Sequence, residues 1–428
     1  MTKDCTLQVF IDGTWRDAAA LTLMGDETRG IGAGTFLSYE VNYALDHFQR
    51  SDAAALSINH PVNLFPLNEG TWPPFLIDLL PQGYGRKELL NQLRRDENAG
   101  PGADWELLCA GAGNPIGNIR VKEAHAWIAD KTAGQGIGFT IEQVAERAGD
   151  FNEYLAQHGL FLAGSSGVQG EWPKILLTRA KDGLYYLDHA LPDHLADKHF
   201  IVKFGRGSDR ALANILHCEA PYMQLARTLG LRVHDDLLLK ERALFIPRFD
   251  REVIGNRVAR HAQESLASVC QLRQFGEVPT HNDFLSRMKS LVSDVALDTI
   301  EYVKRDIANI VLGNTDNHAR NTAIQRRDNG QVRLTPLFDF APMFLHPDGI
   351  ARRMRWSSDD NGAPQWASVI KQAVEATQVD EALLLSAVKE MAQPLSTLVD
   401  QAEALGIRHF LAPKMLTIEN NLQQLEKL

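Results

Sequence analysis

The sequence predicts an α+β protein of two lobes. The N-terminal lobe is α/β and carries an added small subdomain, and the C-terminal lobe is mostly α-helical. Three observations lead there. Strand-like runs separated by turn residues fill the chain up to about Arg251. Apolar residues at helical spacing dominate the chain beyond Met343. A length of 428 residues allows two or three domains with a sizeable core. The expected divisions are 1–130, 152–250 and 251–428.

In the first division, Leu7–Ile11 alternates and runs into Asp12-Gly13, a hairpin signal. Thr35–Tyr39 and Leu56–Ile58 are expected as further strands. Phe75–Leu80 is a helix stopped by Pro81 and Gly83. Arg86–Arg95 reads as a basic helix with a solvated face. Gly111–Gly117 lacks the spacing of a nucleotide loop, with no Walker lysine after it, and reads as a connection between a helix and the strand Asn118–Val121. A polar join follows, with a helix opened by Thr140 and Gln143 in capping-box spacing.

In the second division, a Gly/Ser-rich loop, roughly Gly164–Lys174, lies between apolar runs. Such a loop either makes a plain hairpin turn or lets backbone N–H groups approach phosphates closely. His199–Phe204 is a strand with Lys203 among apolar neighbours. That lysine either reaches solvent at a strand edge or meets an anion. Leu216–Leu229 is a helix ended by Gly230, with Glu219 in its first turns. Ala243–Phe249 is a strand that Pro247 should turn into extended linker.

The third division holds the most informative stretch. The helix Asp298–Leu312 feeds Asp316, His318, Arg320 and Asn321. Further on, the apolar run Leu334–Met343 delivers Asp339, expected at a strand end between two phenylalanines. An acid, an amide five positions later and a second acid suit magnesium-assisted phosphoryl transfer. The first carboxylate orients the attacking hydroxyl, and the other two groups hold the metal. A polar surface loop before a buried strand fits the same residues. The wider order of parts is the order in a protein kinase: Gly/Ser loop, strand lysine, helix glutamate, connector, acid loop and second acid. The expected fold is therefore a protein-kinase-like two-lobed one, although HRD, DFG and APE are all absent.

The charge of −10 argues against broad electrostatic binding to nucleic acid. Four scattered cysteines have no metal spacing and read as reduced thiols. The N-terminus has no signal-peptide pattern, and no run is long enough to span a membrane. The expected location is the cytoplasm.

These residues resemble the HipA family, the kinase toxins of bacterial type II toxin–antitoxin modules. GNTDNHARN resembles the family's catalytic loop, G-x-T-D-x-H-x-[KR]-N, and LTPLFDFAP its metal-binding strand. PRFDR resembles the hinge, and HFIVKF with CEAPYMQLARTLGL the lysine strand and following helix. FLIDLLPQGYGRKEL and WELLCAGAGNPIGNIRV resemble the N-terminal subdomain. The resemblance implies a serine/threonine protein kinase using ATP and Mg²⁺. Asp316 would be the catalytic acid, and Asn321 and Asp339 the metal ligands. ATP would be met by Ser165, Ser166, Gly167, Lys174, Lys203, Pro247, Arg248, Phe249, His318 and Arg320. Ser165 or Ser166 is the candidate phosphoacceptor of a self-inactivating loop, in a branch with a GSS…PK pattern. The implied partners are a protein substrate, such as an aminoacyl-tRNA synthetase or other translation factor, and a helix-turn-helix antitoxin. The competing readings are a catalytically weak regulator acting through a DNA-binding antitoxin, and a small-molecule kinase.

Overall fold

The computed structural model describes residues 3–131, 136–147, 149, 172–205, 209–358 and 360–428. The expected Ser165, Ser166 and Gly167 lie outside the described residues. The chain divides into two units. One is Met1–Gly205 with Leu239–Glu277 and Gln325–Gln331; the other is Arg206–Leu238 with Val278–Ile324 and Val332–Leu428.

The first unit contains two sheets. In the first, β1 (Lys3–Ile11) and β2 (Thr14–Met24) form the expected hairpin. Asp12 and Gly13 both take positive φ, 52° and 77°, which gives the backbone twist a two-residue hairpin turn needs. With β3 (Gly34–Tyr39), β4 (Leu67–Glu69) and β5 (Ile119–Val121), the order is β4-β3-β2-β1-β5. Its buried face packs Leu7, Val9 and Leu21 with Trp72, Leu76 and Leu108. The expected strand at Leu56–Ile58 does not form. Ser57 makes only an isolated bridge to His60, because Glu264 accepts bonds from the Ser57 hydroxyl (2.6 Å) and the Ile58 N–H (2.9 Å) and fixes a turn there. Arg86 is also not on a simple solvated face. It pairs at 2.7 Å with the buried Asp104, whose carboxylate accepts the Ile31 N–H as well.

The second sheet contains β6 (Lys174–Ala180), β7 (Tyr185–Leu187), β8 (Ala196–Phe204), β9 (Leu238–Lys240) and β10 (Ala243–Pro247) in the order β7-β6-β8-β10-β9. Its core is Ile175, Leu177, Phe200, Val202 and Phe245. β10 is an interior strand, contrary to the expectation drawn from Pro247. That proline is its last residue, opposite Phe200, where the missing N–H ends the ladder without breaking it. Arg248 then donates its N–H to the His199 carbonyl at 2.9 Å. The expected helix at Thr140 forms as Ile141–Ala145, with the capping box between Thr140 and Gln143 in place.

The second unit is helical around Val295–Leu312. Asp294 caps that helix by accepting the Leu297 N–H, and Gly313 ends it at φ 68°. It packs against the helices Trp366–Thr377, Glu381–Lys389 and Met415–Lys427. Trp366, almost fully buried, donates its indole N–H to Asn421 at 2.7 Å, so one polar atom is satisfied inside an otherwise apolar contact. Among the described residues no helix is long and apolar enough to cross a membrane. All four cysteines are free thiols.

Candidate active site

In the second unit the site is built on the C-terminal end of the helix Val295–Leu312. Gly313 must be glycine. Its φ is left-handed, and a Cβ there would lie 2.5 Å from both the Phe344 ring and Lys414 Cε. The Gly313 carbonyl accepts the Phe344 N–H at 3.1 Å, so the segment after Asp339 is tied to the start of the acid loop.

The loop then holds itself together. Asn321 Nδ2 donates to the Asp316 main-chain carbonyl at 2.8 Å, and the Asn321 N–H to the His318 carbonyl at 2.9 Å. His318 Nδ1 accepts the Arg320 N–H at 3.2 Å. That leaves Nε2 as the protonated ring nitrogen, 3.7 Å from Asp316 Oδ1. The donated Asn321 amide leaves Oδ1 as the oxygen able to meet a cation.

Burial raises the Asp316 carboxyl above the ordinary aspartate range. His318 and Arg353 work against that, and Asp339 adds to it. Two carboxylates close enough to repel each other are a standing demand for a cation. One amide oxygen and carboxylate oxygens form a hard donor set that suits Mg²⁺ completed by phosphate and water.

Asp339 is not at a strand end. The short strand Val332–Leu334 stops five residues earlier, and Asp339 takes φ 51°. The left-handed backbone of a non-glycine residue turns the chain sharply after Phe338. The turn is held from behind by Phe340, fully buried, with its ring 5.9 Å from that of Tyr222. Tyr222, on the helix Arg210–Thr228, donates its hydroxyl to the Leu312 carbonyl at 3.1 Å. One tyrosine thus touches the backbone just before the acid loop and the ring just after the second acid. Glu219 is buried on the same helix.

In the first unit, Lys174 and Lys203 stand directly opposite each other on β6 and β8, and both are almost fully buried. Opposed residues of an antiparallel pair share a face, so the two ammonium groups emerge on the same side of the sheet. Lys203 Nζ lies 5.3 Å from the Trp172 ring centroid. The connector after Pro247 carries a buried ionic cluster. Arg248 pairs with Asp250 at 2.7 Å and Asp188 at 3.1 Å, and donates to the Pro115 carbonyl at 2.9 Å. Asp250 also takes Arg251 at 2.8 Å and the Gly117 N–H at 2.8 Å. The Arg248 side chain is therefore committed to this cluster, and only its backbone is available to a ligand. The Phe249 carbonyl accepts the Gln325 amide at 3.1 Å.

Sequence reasoning missed two contributors. Tyr222 read as one more apolar position in a helix. Arg353, whose N–H donates to Asn317 Oδ1 at 3.2 Å, was unmarked, although three arginines in four positions were a visible signal.

The profile of the HipA-like C-terminal domain matches residues 166–400. The chain belongs to the HipA family. Its structure is similar to HipA of Shewanella oneidensis MR-1, solved as a complex of HipA, HipB and its operator DNA. The TM-score is 0.64 at 18% identity, over 98% of this chain and 96% of that one. At that identity the match gives the fold, and this HipA-family chain shares it along nearly its whole length. A partial match is to the proinflammatory kinase CtkA of Helicobacter pylori, at TM-score 0.37 and 14% identity, over 54% of this chain and 90% of that one.

Proposed function

We propose that this HipA-family chain is an ATP- and Mg²⁺-dependent serine/threonine protein kinase that acts as a growth-inhibiting toxin in the cytoplasm. The observation that carries the reading is the acid loop. Asn321 braces the Asp316 backbone at 2.8 Å, and the Asp339 turn is tied back to the same helix end through Phe340 and Tyr222. In this reading 1–130 is the N-terminal subdomain, 152–250 binds the nucleotide and 251–428 carries the catalytic loop.

Asp316 accepts a hydrogen bond from the acceptor hydroxyl and takes its proton. The hydroxyl oxygen bonds to the γ-phosphorus, the bond to the β,γ-bridging oxygen breaks, and ADP leaves. Asn321 and Asp339 would hold Mg²⁺, which when bound neutralises phosphate charge. Lys174 and Lys203 bind phosphate oxygens of the nucleotide. The backbone of Pro247–Phe249 meets the adenine, and His318 and Arg320 belong to the nucleotide side of the loop. The partner is an antitoxin, by likeness to the Shewanella complex with HipB, and a helix-turn-helix protein by the family resemblance. The substrate is a cellular protein.

The test is transfer of label from γ-labelled ATP to protein by the wild type and by Asp316→Asn. The wild type should label protein, and the variant should lose roughly a hundredfold or more. No transfer by the wild type overturns the reading, and equal transfer by both overturns the role of Asp316.

A further inference from the structure

Three arginines lie in the segment Arg352–Trp356, after the Asp339 turn. Two are committed to carboxylates. Arg352 pairs with Asp306 at 2.9 Å and Asp360 at 2.7 Å, and Arg355 with Asp360 at 3.3 Å. The Trp356 indole N–H donates to Asp306 at 2.8 Å, and the Arg355 carbonyl accepts the His281 N–H at 2.9 Å. Asp306 lies on the helix that leads into the acid loop, so the segment is clamped to the element that positions Asp316.

Arg353 differs from its neighbours. Its N–H is fixed on Asn317, next to Asp316 in the chain, while its side chain is exposed. Among the described residues its guanidinium has no ion pair or hydrogen bond. A backbone fixed on Asn317 thus presents an uncommitted planar cation next to the loop that carries Asp316. Arg352 and Arg355 show that partners for arginine are abundant in this segment, so the exposure of Arg353 is not for want of carboxylates nearby.

We propose that Arg353 contacts the phosphoryl group during its transfer from ATP to the acceptor hydroxyl. This rests on the kinase reading. As the oxygen–phosphorus bond to the acceptor forms and the bond to the β,γ-bridging oxygen breaks, negative charge spreads over the three equatorial oxygens. The hydroxyl proton passes to Asp316 and ADP departs. A guanidinium fork stabilises that charge by parallel N–H···O bonds.

The test uses the full chain with Mg²⁺, comparing wild type with Arg353→Ala and Arg353→Lys, and Asp316→Asn as control. Calorimetry measures MgADP binding with and without aluminium fluoride, a mimic of the phosphoryl in transfer. Aluminium fluoride should tighten wild-type binding, and Arg353→Ala should lose roughly tenfold or more of that gain while binding MgADP alone normally. Arg353→Lys should recover part of it. Label transfer should fall in kcat with KM for ATP unchanged. A full aluminium fluoride gain in Arg353→Ala overturns the proposal, as does equal weakening with and without it. A rise only in KM for the protein acceptor also overturns it, and assigns Arg353 to an acidic group of the substrate instead. A wild type that neither transfers label nor differs from Asp316→Asn sinks the kinase reading itself. An active wild type, an inactive Asp316→Asn and an unaffected Arg353→Ala sink this inference alone.

Discussion

Asn321 donates its side-chain amide to the main-chain carbonyl of Asp316 at 2.8 Å. The five-residue spacing read from the sequence is thereby a physical bond. The amide nitrogen shapes the loop, and the amide oxygen remains for a cation. Asn321→Asp keeps an oxygen at the site and removes the donor. Losing such a bond costs about 1–3 kcal/mol, so transfer should fall roughly tenfold to a hundredfold with little loss of metal. Asn321→Ala removes both functions and should in addition raise the Mg²⁺ concentration needed for half-maximal rate. Steady-state rates against Mg²⁺ separate the two, and identical Mg²⁺ curves for wild type and Asn321→Ala would falsify the ligand role.

Burial holds the Asp316 carboxyl above the ordinary aspartate range, partly offset by His318 and Arg353 and reinforced by Asp339. In the proposed mechanism only the ionised carboxylate accepts the hydroxyl proton. Activity should therefore fall with acid at a pH above the usual aspartate value. Removing a cation, by Arg353→Ala, should move that acid limb upward. For stability the sign is the reverse. A carboxyl whose proton affinity is higher in the fold than in the unfolded chain opposes folding once it ionises. Asp316→Asn should accordingly raise the melting temperature at neutral pH while abolishing transfer. A limb that moves down on losing Arg353 contradicts this assignment.

The buried cluster of Arg248, Asp250, Arg251 and Asp188 makes the connector rigid. Burial alone would raise the Asp250 carboxyl, but Arg248 and Arg251 outweigh it and hold the group well below its ordinary range. Removing one partner strands a buried charge. Asp250→Asn should cost about 3–5 kcal/mol at neutral pH. A depressed carboxyl contributes stability above its unfolded pKa, and that contribution is lost as pH falls through the folded value. Denaturant titrations at descending pH should therefore show the gap between wild type and variant closing only in acid, below the usual carboxylate range. A gap independent of pH would mean that lost packing, not charge, is the cause.

Much of the fold was legible because local chemistry decided it. Asp12-Gly13 set a hairpin, Gly313 ended a helix, and Thr140 with Gln143 opened another, each within a few residues. Leu56–Ile58 failed because a distant carboxylate, Glu264, claimed its polar groups, and no local pattern reports that. Asp339 was found, but its setting was not. The apolar run around it looked like a strand, while tertiary packing of Phe340 on Tyr222 holds it in a left-handed turn. Arg248 was expected at the nucleotide through its backbone; what the sequence did not show is that its side chain joins a buried cluster with Asp250, two residues away, and Asp188, far back in the chain.

The Gly/Ser loop supplies the last prediction. Ser165 and Ser166 lie nine and eight residues before Lys174, which opens β6 directly opposite the buried Lys203. A serine entering the transfer site from this loop would carry the phosphate on the same chain that binds ATP. Incubation with Mg²⁺ and ATP should then add the mass of one phosphate to the intact protein. The rate should not depend on protein concentration if transfer is within one molecule. Ser165→Ala/Ser166→Ala should show no added mass, yet still label an added protein acceptor, because the proposed transfer residues Asp316, Asn321 and Asp339 are untouched. Asp316→Asn should abolish both. If phosphate still accumulates on the double serine variant, the acceptor lies elsewhere in the chain. If the double variant also loses transfer to an added acceptor, the serines serve nucleotide binding and not modification.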